Sequence, residues 1–170
     1  VQPRKNYARL ISALGQLRRN GLDVSLVIAG GKGWLDTPIY ETISAERLES
    51  TVIFLGYVDD FDLPALYSSA AVFAMPSLYE GFGLPVLEAM ACGTPVVTST
   101  VSSLPEAAGN AALLVDPTSV DAIADALQKL LTDSSLRETL VSRGTKRAAE
   151  FMWKRTARQL ESAFKLALTR

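Results

Sequence analysis

Glu80 and Glu88 stand eight positions apart in PSLYEGFGLPVLEAMACGTPVV, residues 76–97, with Gly81, Phe82, Gly83 and Pro85 between them. An ionised carboxylate accepts hydrogen bonds, and its two oxygens can take both hydroxyls of a vicinal diol. Glycine lets the backbone adopt unusual dihedrals and come close to a ligand, which is the expectation for Gly81 and Gly83. A helix expected from Leu84 presents unpaired N–H groups and a positive dipole end, the ingredients of a phosphate or diphosphate site. Pro85 has no N–H, so the donors should be those of Gly83, Leu84 and Val86. Glu88, about one turn into that helix, is placed for the 2′ and 3′ hydroxyls of a ribose. Glu80, ahead of the glycines, faces the other end of a bound diphosphate, where a sugar would sit. One acid for ribose, amides for diphosphate and one acid for sugar describe a nucleotide-sugar site. The plainer alternative is a tight turn flanked by two solvated charges, but this pattern is dense and falls at an expected ligand edge.

The elements that must hold these residues alternate between two periodicities. Helical spacing runs over Asn6–Asn20, Thr37–Leu48, Asp60–Ser69 and Leu84–Cys92, the last with Pro85 in its first turn and Gly93 just beyond its end. Apolar runs suited to strands covered on both faces occupy Val24–Gly30, Thr51–Gly56, Ala71–Pro76, Pro95–Ser99 and Ala111–Asp116. Thr118 reads as the N-cap of a helix with the stripe Val120, Ile123, Ala124, Leu127, Leu130, Leu131, and Asp121 as the partner in a weak capping box. Helices over Ser134–Phe151 and Lys154–Leu168 follow. The fold class expected is a doubly wound, Rossmann-like α/β parallel sheet with right-handed crossovers and extra C-terminal helices, one domain over residues 1–170. Ligands bind at the carboxyl ends of such strands. That selects the loops Gly30-Gly31-Lys32, Gly56-Tyr57-Val58, Pro76 to Gly83 and Ser99 to Ser103.

Composition narrows the chemistry. The 170 residues are 48% hydrophobic and 21% charged with a net charge of −1, so bulk charge favours neither a nucleic acid nor an anionic membrane. Cys92 is the single cysteine, read as a small buried hydrophobe; no internal disulfide can form, and a reducing, cytoplasmic setting is expected. The chain has no histidine, which removes Ser-His-Asp triads and histidine-based metal sites. Asp59 and Asp60 read as the cap of the following helix rather than as metal ligands. No apolar run is long enough to span a bilayer. The opening VQPRKN reads as the tail of a strand running into a helix cap, so the expectation is a piece of a longer protein.

The stretch 76–97 resembles the donor-binding motif of the retaining glycosyltransferases of family 4, also called group 1, which have the glycosyltransferase B fold. RKNYARLISAL, VIAGGKGW, VIFLGYVDDFDLPALYSSA, SSLPEAAGNAALLVDP and FMWKRTARQL resemble further segments of that family, so the likeness covers essentially the whole chain. It implies the C-terminal, nucleotide-sugar-binding half of such an enzyme. By resemblance Glu80 contacts the donor sugar and orients its anomeric carbon, and Gly81, Phe82, Gly83 and Leu84 offer backbone amides to sugar and diphosphate. Glu88 holds the ribose, and Lys5 neutralises the diphosphate. Arg4 either assists Lys5 or is a surface charge at a helix start. Gly31 and Lys32 belong to the glycine turn, where Lys32 either reaches the nucleotide or is simply solvated. Tyr57 and Val58 border the base, with Tyr57 alternatively a packing residue.

The resemblance further implies transfer from a nucleoside-diphosphate sugar with retention, without a metal or other cofactor, to an acceptor bound by an N-terminal domain. Peripheral membrane association would run through that domain. The isolated donor half should bind but catalyse little. The apolar face of the last helix should then be exposed or paired with another copy. The competing readings are a nucleotide-sugar-binding module without turnover, or another B-fold enzyme such as an epimerase or a starch or glycogen synthase. A flavodoxin-like or receiver domain would need a flavin-phosphate loop or an acidic pocket after the first strand, and neither is visible.

Overall fold

A computed structural model describes residues 2–31 and 37–168. A 3₁₀ turn over Pro3–Lys5 leads into α1 (Tyr7–Arg19), β1 (Leu26–Ala29), α2 (Thr37–Glu46), β2 (Val52–Gly56), α3 (Leu63–Ser69) and β3 (Phe73–Met75). Then come α4 (Leu84–Ala91), β4 (Val96–Ser99), α5 (Leu104–Ala108), β5 (Leu113–Val115), α6 (Val120–Thr132), α7 (Ser134–Ala149) and α8 (Trp153–Leu168). Every strand pairing is parallel, and helices intervene between successive strands, as expected for this class. Among the described residues no helix is long and apolar enough to cross a membrane.

Among the described residues the strands fall into two groups. β1 pairs with β2, and β3-β4-β5 form a second group. Between the facing edges of β1 and β3 lies a cleft of about 790 Å³. β4, with a neighbour on each side, is buried along its whole length, whereas Val27 on β1 is 44% exposed. α1 spans the two groups from one face. Its Leu10, Ala13 and Leu17 pack with Val97, Val115 and α6, while its Ile11 and Leu14 pack with Ile28 and α2. α4 and α5 cover the other face of β3 and β4 through Val86, Met90 and Leu104.

Several local expectations are corrected. The helix after residue 118 is capped by Ser119, whose Oγ accepts from Ala122 N–H at 3.1 Å. Thr118 is committed elsewhere: its N–H and hydroxyl both donate to Asp116 Oδ1, at 2.8 and 2.7 Å. The helix after β2 starts at Leu63 with Asp62 at its N-cap; Asp59 instead closes the preceding turn by accepting from Phe61 N–H. α5 was not anticipated, although Pro105 near its start and Gly109 at its end, at φ +56°, mark it. Cys92 is half-buried rather than buried. α8 exposes its apolar residues, Trp153, Phe164 and Leu168 among them.

Candidate functional site

The loop from β3 to α4 begins in the core, with Pro76 and Ser77 fully buried. It delivers Glu80, only 8% exposed, to the carboxyl edge of the strands. Three donors meet its carboxylate. Lys5 Nζ lies 2.8 Å from Oε1, Ser77 Oγ donates to Oε1 at 2.9 Å, and Arg4 Nη1 donates to Oε2 at 2.5 Å. The backbone is held as well: Glu80 N–H donates to Ser102 Oγ at 3.0 Å, and Ser103 Oγ donates to the Glu80 carbonyl at 2.9 Å. Burial on its own would raise the Glu80 pKa. The hydrogen bonds from Lys5, Arg4 and Ser77 outweigh it and hold the carboxyl below its ordinary value. Glu80 is therefore a fixed carboxylate, not a proton donor at neutral pH. The reading of it as a solvated surface charge fails.

The cations reach Glu80 because the turn that carries them is latched to this loop. Leu78 N–H donates to the Arg4 carbonyl at 2.8 Å. Asn6, buried and left-handed at φ +62°, donates from Nδ2 to the carbonyls of Pro76 at 2.9 Å and Pro117 at 2.7 Å. Arg4 thus pairs with Glu80 and is not only a charge at a helix start. Asn6, Ser77, Ser102 and Ser103 were not singled out from sequence. All three serines did fall in selected loops, Ser77 in Pro76 to Gly83 and Ser102 and Ser103 in Ser99 to Ser103, but a serine's partner is set by the fold and not by spacing.

The glycines divide. Gly83 is the N-cap of α4 at φ +97°, and a Cβ there would come within 2.9 Å of Leu104 Cδ2. Gly81 has no positive φ, and a Cβ there would meet nothing within 4 Å. Only Gly83 is required by backbone conformation; space remains open at Gly81 for something else. The expected set of helix donors also shrinks. Val86 N–H donates to the Gly83 carbonyl at 3.0 Å, which closes the first turn and leaves Gly83 and Leu84 as candidates. Phe82 packs its ring edge-on against Phe151 at 5.9 Å, and Arg147 stacks over Phe151 at 4.6 Å. Leu84 is half exposed.

Glu88 is exposed on α4 and accepts from the Tyr67 hydroxyl at 2.9 Å. Burial, then the charge and hydrogen bond of Glu88 and the neighbouring Cys92, push the Tyr67 pKa far above the ordinary tyrosine value, so the hydroxyl stays a donor. Tyr67 itself is fixed edge-on to Phe73 at 5.3 Å. It was missed from sequence because it lies in α3, outside the ligand-edge loops. The cleft between β1 and β3 opens at this same edge, where Lys5, Gly30, Tyr57, Val58, Tyr67 and Pro85 border it. Tyr57 is 79% exposed, so it is not a packing residue. Gly31 is exposed beside Gly30, which adopts φ +132°. Lys32 lies outside the described residues. Among the described residues no three His, Cys, Asp or Glu side chains converge as metal ligands. What the edge offers is a pair of cations, two helix-end amides, an ordered carboxylate and an exposed one supported by tyrosine. Those groups suit an anionic, polyhydroxylated ligand.

Comparison with known proteins agrees with that chemistry. The family profile described as Glycosyl transferases group 1 matches residues 1–147. The O-antigen chain mannosyltransferase B of Escherichia coli is 43% identical over 167 residues, covering 98% of this chain and 44% of that protein. Among solved structures, sucrose-phosphate synthase from Thermosynechococcus elongatus superposes with a TM-score of 0.87 at 32% identity, over 99% of this chain and 43% of that one. HepE of Anabaena, in complex with UDP and glucose, gives 0.84 at 25% identity, over 95% and 46%. The chain thus spans less than half the length of these relatives.

Proposed function

This chain belongs to the group 1 glycosyl transferases, and from that premise we propose that it is the donor-binding half of one, holding a nucleoside-diphosphate sugar for transfer with retention of configuration. The observation that carries the proposal is the caged Glu80, with Arg4 and Lys5 on its carboxylate at the edge where α4 begins. The complex of HepE with UDP and glucose supports a nucleotide sugar as the ligand class. The mannosyltransferase relative makes a hexose the natural sugar.

The mechanism follows from the partners. Without donor, Arg4 and Lys5 neutralise Glu80. A diphosphate arriving at the N-terminus of α4 offers them a stronger, doubly charged acceptor, aided by the amides of Gly83 and Leu84. As the cations turn towards the diphosphate, Glu80 keeps Ser77 and its backbone anchors, and its freed lone pairs accept hydroxyls of the sugar. The sugar is thereby oriented while the leaving diphosphate gathers charge beside fixed cations, so that transition-state stabilisation comes from preorganised groups and no metal is called for. Glu88, held by Tyr67, takes the ribose hydroxyls, and Tyr57 and Val58 border the base. The acceptor, its domain and any membrane association belong to the rest of the enzyme.

Calorimetric titration with UDP, GDP and ADP and their hexose conjugates, beside Glu88→Ala, tests this. One nucleotide should bind, the substitution should weaken it, and the sugar conjugate should depend on Glu80 where the bare nucleotide does not. Absence of binding by every nucleotide in the folded full-length enzyme would refute the assignment.

A further inference from the structure

We infer that Arg147, on α7 and away from the ligand edge, is a positioning residue for the loop between β3 and α4, acting on Glu80 and Gly83 through α5 and on Phe82 through Phe151. The inference rests on the reading of Glu80 as the donor-sugar contact.

α5 has five residues, too few to be held by its own hydrogen bonds. Its first end is tied to the loop. Ser103, its N-cap, donates from Oγ to the Glu80 carbonyl at 2.9 Å, and Leu104 fills the space where Gly83 lacks a Cβ. Its last end is tied to Arg147. The carbonyls of Glu106 and Ala107 lie in the final turn, where a helix runs out of its own donors. Arg147 donates to both, from Nη2 to Glu106 O at 2.5 Å and from Nε to Ala107 O at 3.1 Å. A guanidinium is a rigid fork, so two such bonds fix the angle of α5 as well as its distance.

The rest of the same side chain serves the other arm. Nη1 pairs with Glu150, and the guanidinium lies 4.6 Å over the Phe151 ring. Phe151 meets Phe82 edge-on at 5.9 Å, and Phe82, 47% exposed, is held by burial only in part. The base of this bracket is firm. Gly144, one turn before Arg147, brings α7 so near α4 that a Cβ there would lie 3.0 Å from Met90 Cγ. Gly109 clears room for the arginine, since a Cβ there would lie 3.3 Å from its Nε. The loop is thus held from both of its sides by one residue that acts without touching donor. Misplacing a reacting group by about 1 Å costs on the order of a hundredfold in rate, so loosening the bracket should show in turnover before it shows in nucleotide binding.

The test uses the full-length enzyme with Arg147→Met, which keeps an apolar stem over Phe151 and loses every donor. Turnover is read as release of nucleoside diphosphate from UDP-, GDP- and ADP-hexose, well below the Tm of each variant. The control is Arg143→Met, one turn away, whose guanidinium donates to Asn110 O at 3.4 Å. Arg147→Met should lower kcat by about 10- to 100-fold with KM for the donor within about threefold, and Arg143→Met should change neither. Ser103→Ala should lower kcat as well, and the double variant should fall short of the product of the two single losses by about threefold or more, because both act through α5. A lower Tm with kcat within about twofold of the unsubstituted enzyme is what a purely structural arginine would give, and it would overturn the proposal. So would single losses that simply multiply. Glu80→Gln, run beside them, separates the premise. Unchanged turnover there would overturn the donor reading of Glu80 and this inference with it; a lowered Glu80→Gln beside an unchanged Arg147→Met overturns the inference alone. Should Arg147→Met fail to fold, Arg147→Lys, which keeps the charge and loses the fork, is read against the same limits.

Discussion

The β3-β4-β5 group and the β1-β2 group present their ligand-edge loops in opposite ways. The loop after β3 is fastened at every level: Glu80 by Lys5, Arg4 and Ser77, its backbone by Ser102 and Ser103, and the cations by Asn6. The loop after β2 is open, with Tyr57 79% and Phe61 95% exposed and unobstructed space where Gly56 lacks a Cβ. A group that must meet a reacting centre gains from being fixed in advance, because a misplacement of about 1 Å costs on the order of a hundredfold in rate. A group that borders a flat base can be positioned by the base itself. The fastened half is read as the chemical half and the open one as the recognition half.

The largest effect should come from Glu80. In the full-length enzyme Glu80→Gln should lower kcat by about 10²–10³, the scale for losing a preorganised electrostatic group, whereas Tyr57→Ala should act on KM and leave kcat largely unchanged. Equal losses of kcat from both would break the comparison. The acid limb of stability supplies a second readout. The Glu80 pKa is lower in the folded protein than its ordinary 4.5. Its contribution is therefore complete above about pH 4.5 and lost as pH falls through the lower folded value. Tm should fall over that window, and less steeply in Glu80→Gln.

Next is the pair of glycines. Gly83→Ala combines a left-handed φ with a Cβ 2.9 Å from Leu104, and should cost about 2–4 kcal/mol of folding stability. Gly81→Ala meets no protein atom and should leave Tm unchanged while weakening the nucleotide sugar, since only a ligand would occupy that space. A Tm loss at Gly81 equal to that at Gly83 would show both glycines to be structural. Asn6→Gly keeps the left-handed backbone but loses two buried hydrogen bonds, at about 1–3 kcal/mol. It should also lower donor affinity by freeing the Arg4-Lys5 turn, which thermal melts and titration read separately.

These differences mark what sequence could reveal. The alternation of strands and helices and the start of α4 at Leu84 were legible because periodicity, Pro85 and the glycines are local signals. Thr118 misled because a good cap residue one position early had a better partner in Asp116. Val86 was counted as a free donor because its bond to the Gly83 carbonyl arises only once the turn closes. The pairing of Arg4 and Lys5 with Glu80 joins residues more than seventy positions apart, and nothing in either segment announces the other.

Tyr67 tests the comparison at its finest grain, because it is where the two halves meet. It belongs to the connection between β2 and β3, yet its hydroxyl steadies Glu88 on α4. Tyr67→Phe keeps the ring against Phe73 and removes only that bond. Glu88 is exposed and can turn to water, so the fold should lose well under about 1 kcal/mol. If Glu88 holds the ribose, nucleotide affinity should fall by about two- to fivefold through the loss of orientation, equally for bare nucleotide and sugar conjugate. A loss confined to the sugar conjugate would place Glu88 beside the sugar instead, and move the line between recognition and chemistry one helix turn into α4.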